Sequence, residues 1–469
     1  MDKINISRND VLWGYVSQIC NVGANLFILP VLFYFLSSEI LGIWYVFMNI
    51  GTFVTLFGLV FQSSFSRNIS YAFSGATSLQ KHGINTESEV LNQPNLPLIK
   101  SLIITMRRFY GLISVGMVLL LLVLGIPYFR YLTQDISNSP DIILPWILYS
   151  LSVAFGFYCL YFGSILQGRG YIKELNQLII INKSIYIVLV FIFISNDYQL
   201  WGLAIANIIS VLVQYITGHL FANKNGLGKT LKKVQTVSSG LMRIIWHNTY
   251  KLGFATLLNY LSTKGNLFYV SLFLPLGLIA QYGLTLQVVN VLSTASMMYF
   301  LSYTPLVAQS WIMKDKSKVK NIYSKSLVIL LSIFSLASIA ILLLGDWALN
   351  LIGSNTTFLP TAPLFLLFIV YLLDTNHSLA LNLIVSRNNV PQLKASIISA
   401  ISIYILIPVL IIKLNMGIYG VIFAVGIVQI CYQNWKWPQG VSRILGLSFT
   451  QQLKLGVRNL MNVKIKPHE

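Results

Sequence analysis

The sequence predicts an all-α polytopic membrane protein of about twelve transmembrane helices, arranged as two pseudo-symmetric six-helix bundles with both termini cytoplasmic. Three observations carry this. First, the 469-residue chain is 56% hydrophobic and only 10% charged, with a mean hydropathy of +0.72. A soluble domain carries roughly 25% charged residues, so no water-soluble fold buries such a chain. Second, its apolar residues fall into stretches of about 20, the length that crosses a ~30 Å hydrocarbon core. Third, 32 Lys and Arg face 13 Asp and Glu, a net charge of +19, and the cations are distributed with one sidedness. In a soluble protein that excess would point to nucleic acid; here it reports topology, and no nucleic-acid partner is expected.

The first six spans run over 11–36, 40–66, 109–132, 142–166, 175–195 and 199–221, and the second six over 252–275, 281–304, 326–350, 360–385, 393–413 and 417–438. Lys3 and Arg8 precede the first run as they would in a signal peptide. That run is too long for one, and a second span follows, so it is expected to stay as a helix. With the N-terminus cytoplasmic, the loops at 67–108, 167–174, 222–251, 305–325 and 386–394 and the tail after 438 lie inside. Setting aside Arg130, Lys413, Lys183 and Lys264, about 28 of the 32 cations then fall on or next to that side, as cation retention requires. Glu39, Asp135, Asp141, Asp197 and Asp346 fall on the other.

The halves repeat each other in order and spacing. Leu36 to Tyr45, between spans one and two, matches Leu274 to Gly283, between seven and eight; Gln167 to Gly170 matches Ser386 to Asn389; Trp201-Gly202-Leu203 matches Tyr419-Gly420-Val421. Six spans per copy make the repeat parallel, with an expected pseudo-twofold axis along the membrane normal and a central cavity between bundles. The expected divisions are 1–221, a six-helix bundle; 222–251, a basic cytoplasmic linker; 252–438, a second bundle; and 439–469, a basic tail. Within that tail, Leu445 to Val463 reads as an interfacial amphipathic helix, with a frayed basic tail as the alternative.

Cys20, Cys159 and Cys431 sit in apolar stretches without CxxC or Cys/His spacing, so they read as small core residues, with neither disulfide framework nor metal site. No GxxxxGK[ST], HExxH or GxSxG motif occurs and the loops are short, so neither an ATP-driven pump nor an enzyme is expected.

An ionisable group at the bilayer centre costs about 2.5–3.5 kcal/mol, which marks each one as a functional candidate. Lys264 stands deep in span seven, within Asn259 to Asn266, and reads either as a cation holding an anionic substrate group or as half of an ion pair locking two helices. Asn259, Thr263 and Asn266 share a stripe that Lys264 leaves, unless the helix is distorted at Gly265. In span ten, Tyr371, Asp374, His377, Ser378 and Asn382 cluster on one helix face at i, i+3, i+4 spacing, which predicts a continuous polar stripe inside the membrane. Asp374 beside His377 suits a coupling proton or sodium ion, or else Asp374 pairs with Lys264 or Lys183. Asn21 and Asn25 of span one, with Ser17 and Gln18, and Asn290 of span eight, with Gln287 and Thr294, line either a hydrated path or interhelical hydrogen bonds. Arg67, among Gln62, Ser63, Ser64, Ser66 and Asn68, meets an entering phosphate or anchors its helix at the interface. Lys183 in span five is placed to snorkel.

Leu29-Pro30, Glu39 to Trp44, Phe57-Gly58-Leu59 running to Arg67, Gly168-Arg169-Gly170, Leu274 to Tyr282, Pro305, and Gly417 to Gly420 together resemble the polysaccharide flippases of the MOP superfamily, most of all the Wzx-type O-antigen flippases. The resemblance spans nearly the whole chain on loose motifs. It departs at Ser262-Thr263-Lys264, where related sequences often carry an acidic-basic pair. It implies a MATE-like fold in the inner membrane of a bacterium. The implied activity is transfer of an undecaprenyl-diphosphate-linked oligosaccharide, an O-antigen repeat unit of lipopolysaccharide or similar, from the cytoplasmic to the periplasmic leaflet by alternating access. Polysaccharide polymerase machinery and membrane lipids are the further implied partners. Lys264, Arg67 and Lys183 would supply cations to the diphosphate, the membrane potential or an ion gradient would drive the step, and no cofactor is implied. The alternatives are a drug or small-cation antiporter of the same superfamily and a membrane-embedded glycosyltransferase or polymerase.

Overall fold

Helix termini in this chain are set by local chemistry as much as by hydropathy. The computed structural model describes residues 8–76, 93–134, 141–235, 240–263, 265–312, 315–387 and 391–461. Six long helices come first: α1 (Arg8–Phe35), α2 (Ser38–Phe73), α3 (Leu96–Leu132), α4 (Ile143–Gly168), α5 (Ile172–Ser195) and α6 (Gln199–Ala222). A short helix, α7 (Leu227–Lys232), leads to α8 (Leu241–Thr263) and a single turn, α9 (Leu267–Val270). Then follow α10 (Leu276–Ile312), α11 (Lys316–Leu351), α12 (Thr361–Val385), α13 (Leu393–Pro408), α14 (Gly417–Cys431), α15 (Gln433–Leu445) and α16 (Phe449–Met461). Among the described residues ten segments are long and apolar enough to cross a membrane, with α14 and α15 acting as one, and α1 and α8 occupy the first and seventh span positions.

The helices overrun the hydrophobic stretches. Helix α3 begins at Leu96 rather than near 109, α11 at Lys316 rather than 326, and α10 continues to Ile312 rather than 304. Hydropathy marks only the part inside the hydrocarbon, whereas Lys, Arg and Gln are good helix formers that let the coil continue through the head groups. Capping fixes the starts: the Asn95 carbonyl accepts from the Leu98 amide at 3.1 Å, and the Asp315 carboxylate from the Lys318 amide at 3.0 Å.

The chain divides into two units, Met1–Leu257 and Leu258–Glu469. In the first, α4 is central and packs on α2, α3, α5 and α6, with α1 lying along α5. Trp146 of α4 fills the middle, 4.8 Å from the Phe47 ring and 4.6 Å from Phe129, and its indole donates to the Leu121 carbonyl at 3.1 Å. In the second unit the corresponding helix, α12, is again central and packs on α10, α11, α14 and α15. Each unit thus uses its fourth span as the hub, the packing counterpart of the sequence repeat. Both send bare apolar faces outward, Leu112 and Val123 on α3, Leu336 and Leu343 on α11, as lipid contact demands.

Contacts within each unit bring the basic loops to one end. Lys100 of α3 donates to the Val234 carbonyl; buried Arg169, after α4, donates to the carbonyls of Ala222 and Lys224 and stacks on Tyr171 at 4.3 Å; Lys224 pairs with Glu174 of α5 at 2.6 Å. In the second unit Arg387 lies over Trp311, whose indole bonds to Ser386. Cys159 is buried, whereas Cys431 is exposed on the outer face of α14, so it is not a core residue.

The tail forms a helix that docks rather than only lying at the interface. Gln452 and Gly456 of α16 are buried against α11, and Asn459 bonds to Asn321 at 3.1 Å, while Lys454 and Arg458 stay exposed. Gly456 sits directly on the Ser324 carbonyl and Val328, leaving no room for a Cβ. Gly456→Val is therefore expected to destabilise this docking by about 1–3 kcal/mol. Faster proteolysis of the tail at unchanged membrane insertion is the readout.

Candidate functional site

The seventh span breaks at membrane depth. Helix α8 ends at Thr263, Gly265 and Asn266 form a turn, and one helical turn follows as α9. Gly265 closes the break with an amide bond back to the Tyr260 carbonyl at 2.7 Å, and a Cβ there would strike the Tyr260 ring and the Leu261 backbone. Freed backbone groups inside a bilayer must be satisfied by protein. Three tyrosines from three helices contribute. Tyr371 of α12 donates to the Thr263 carbonyl at 2.6 Å, Tyr404 of α13 to the Gly265 carbonyl at 3.3 Å, and Tyr282 of α10 to the Asn266 side-chain oxygen at 3.1 Å. Lys264 lies outside the described residues; the distortion expected at Gly265 is present.

Next to this break, α12 carries its polar residues around the hub instead of along one wetted face. Tyr371 points to the end of α8, Thr375 meets Ser293 of α10 at 3.0 Å, and the His377 ring bonds through Nδ1 to Asn434 of α15 at 2.9 Å. His377 and Asp374 are buried, with Nε2 and the carboxylate 3.8 Å apart. The imidazole and the carboxylate thus lie side by side at the hub, the ring tied to α15 through Asn434. Around it, the Asn259 oxygen, the Asn266 nitrogen, the Gln287 oxygen and the Gln429 amide have no hydrogen-bond partner among the described residues. Each such buried group forfeits about 1–3 kcal/mol.

The other expected residues scatter. Asn259 is half-buried beside the break, and Asn290 is half-buried on α10, where its carbonyl accepts from Thr294. Lys183, half-buried, is the twelfth of 24 residues in α5, midway along the helix rather than close to an end, and has no ion-pair partner among the described residues. One heptad before it, Asn176 faces Gly14 of α1, which by register brings position 183 level with position 21. The side chains of Asn21 and Asn25 lie outside the described residues. Arg67 is exposed on α2, while Ser64, Ser66 and Asn68 around it are buried. Sequence reasoning missed Tyr282, Tyr404, Gln429 and Asn434; the Gly265-Asn266 pair inside an apolar run was the available signal for a break needing hydroxyl donors.

Tyr371→Phe removes the shortest of the three tyrosine bonds and leaves the Thr263 carbonyl bare. The expected loss is about 1 kcal/mol or more, with Tyr404→Phe costing less. Unfolding of the purified protein by denaturing detergent measures both.

No protein-family model matches the chain, and no curated protein does. Among solved structures it is similar to a multidrug resistance MATE family transporter of the MOP superfamily in an inward-facing conformation (TM-score 0.70, 12% identity, 92% of this chain and 95% of that one). It is also similar to the lipid II flippase MurJ in an inward closed conformation (TM-score 0.66, 13% identity, 98% of this chain and 94% of that one). At these identities the likeness shows the fold: an all-helical, multi-pass membrane protein with the architecture of MATE transporters and MurJ.

Proposed function

We propose that this protein is a flippase for an undecaprenyl-diphosphate-linked oligosaccharide, an O-antigen or similar repeat unit, moving it from the cytoplasmic to the periplasmic leaflet of a bacterial inner membrane by alternating access. The observation that carries the reading is the tyrosine-braced break in span seven, flanked by polar groups without hydrogen-bond partners among the described residues: a lipid-linked glycan brings hydroxyls for those groups and leaves its tail in the bilayer. The fold shared with a lipid II flippase supports the lipid-linked substrate class. Lys264 in the break is the leading partner for the diphosphate, with Lys183 at mid-depth and Arg67 towards the cytoplasmic end. An inside-negative potential favours outward movement of anionic charge by about 2.3 kcal/mol per charge per 100 mV, so no cofactor is needed. Asp374 and His377 are the proposed ion-coupling pair.

Asp374 also favours a second reading. A buried carboxylate whose only ion-pair partner among the described residues is His377 suits export of a small cation, as in a drug antiporter of the same fold.

Complementation separates the two. In a strain lacking its polysaccharide flippase and supplied with the matching glycan, the wild-type chain is expected to restore surface polysaccharide. Lys264→Ala is expected to abolish restoration, and Asp374→Asn to make it insensitive to the pH gradient, both at matched membrane expression. Failure of the wild type with that glycan present, together with gain of cation-drug resistance, would select the exporter.

A further inference from the structure

A cavity of about 650 Å³ lies in the first unit among α3, α4, α6 and α7, at the basic end. It plays no part in the site described above. Its lining includes Lys100 and Arg107 of α3 and Lys229 and Lys232 of α7, and no carboxylate among the described residues. The acid on the adjoining helix, Glu174, is engaged by Lys224 at 2.6 Å. Four cations around one hollow repel each other, and an anion among them removes that cost. Arg107 is held in place by the Tyr161 ring at 6.0 Å and a hydrogen bond to Tyr158, and Lys100 by the Val234 carbonyl, so two of the four are pre-positioned.

Beneath the cations the walls turn apolar, with Ile103, Ile104, Phe162 and Ile165. We read a groove leading from there along α4 into the membrane-spanning part, from the exposed Leu151 and the half-buried Phe155 and Tyr158 on that helix. Helices α3 and α6 both pack on α4 and stand on either side of it. The floor is Tyr158, Phe155 and Leu151 of α4; Val115 of α3 and Leu212 of α6 flank it, each exposed. Phe155 stacks near Tyr215 at 5.4 Å and Phe162 near the same ring at 5.6 Å, which joins cavity and groove into one surface. From Tyr161 to Leu151 is ten residues of helix, about 15 Å, half of a ~30 Å hydrocarbon core. A cationic hollow at the head-group level above a lipid-facing apolar channel one leaflet deep fits an amphiphile with an anionic head. Basic pockets between transmembrane helices on the cytoplasmic side bind such head groups.

We infer that this cavity and groove hold one anionic glycerophospholipid of the cytoplasmic leaflet, its phosphodiester among Lys100, Arg107, Lys229 and Lys232 and one acyl chain along Tyr158, Phe155 and Leu151. Bound there, it ties α7 and the segment after α6 to α3 through charge, in addition to the Lys100–Val234 bond.

Native mass spectrometry of the full-length protein with phosphatidylglycerol or phosphatidylcholine of identical chains tests this. The wild type is expected to retain one phosphatidylglycerol at least tenfold more strongly than phosphatidylcholine. Lys100→Gln/Arg107→Gln/Lys229→Gln/Lys232→Gln is expected to lose that preference, and Lys100→Arg/Lys229→Arg/Lys232→Arg to keep it. Leu151→Asn is expected to weaken retention with every cation intact. Lys316→Gln/Lys318→Gln, which removes two surface cations of α11, serves as the control and is expected to change nothing. Millimolar inorganic phosphate or pyrophosphate is expected not to displace the lipid. Equal retention of both lipids, retention by the quadruple variant at the wild-type level, or displacement by free phosphate would overturn the inference. So would preferential displacement by undecaprenyl diphosphate, which would make the site one for the transport substrate. The charge-preserving and Leu151 variants decide the matter even if the quadruple variant does not fold, and none of these results bears on the complementation by Lys264 variants.

Discussion

Breaking a helix inside a bilayer strands backbone carbonyls where no water competes for them, and the second unit is organised around meeting that demand. Tyr371, Tyr404 and Tyr282 come from three different helices and converge on Thr263, Gly265 and Asn266. Because Tyr371 stands on the hub helix, the helix that braces the break also carries Asp374 one turn further on and His377 nearly two turns further on. A structural necessity and the polar chemistry are thereby placed together: the break cannot be held without bringing the hub's acid and imidazole near it.

The charge distribution acts at a different level. It imposes topology on the chain and leaves a surplus that the fold must house. Some cations are absorbed individually, Arg169 by two carbonyls and an aromatic ring, Arg387 by Trp311, Lys224 by Glu174. Those around the cavity of α3, α4, α6 and α7 have no acid beside them in its lining among the described residues. With so few carboxylates in the chain, the surrounding membrane is the natural source of counter-charge.

Much of this architecture is legible in the sequence. Span positions follow from hydropathy, since the bilayer acts on composition directly, and the fourth-span hub of each unit accords with the repeat. The ends of α3, α10 and α11 are not legible there, because a helix passes through head groups without a hydropathy signal. At the site, Asp374 and His377 stand out as ionisable residues at membrane depth, and Gly265 as a point of distortion. Their partners do not: Asn434 lies 57 residues from His377 and Tyr404 lies 139 from Gly265. Helical spacing also suggests one wetted face on α12, whereas a hub helix meets neighbours on every side and directs each polar residue to a different one. Arg67 reads as a phosphate contact from its polar company, yet that company is buried and Arg67 itself turns outward.

The central proposal is that Lys264 binds the anionic group of the substrate. Thiol accessibility tests it most directly. Lys264→Cys in a chain with Cys20, Cys159 and Cys431 replaced by Ser, reconstituted in vesicles, is treated with a membrane-impermeant cationic thiol reagent with and without a lipid-linked diphosphate oligosaccharide. The account expects labelling from the aqueous phase that the lipid-linked substrate slows at least several-fold. A thiol that no aqueous reagent reaches from either side, or one whose labelling ignores the substrate, would contradict it.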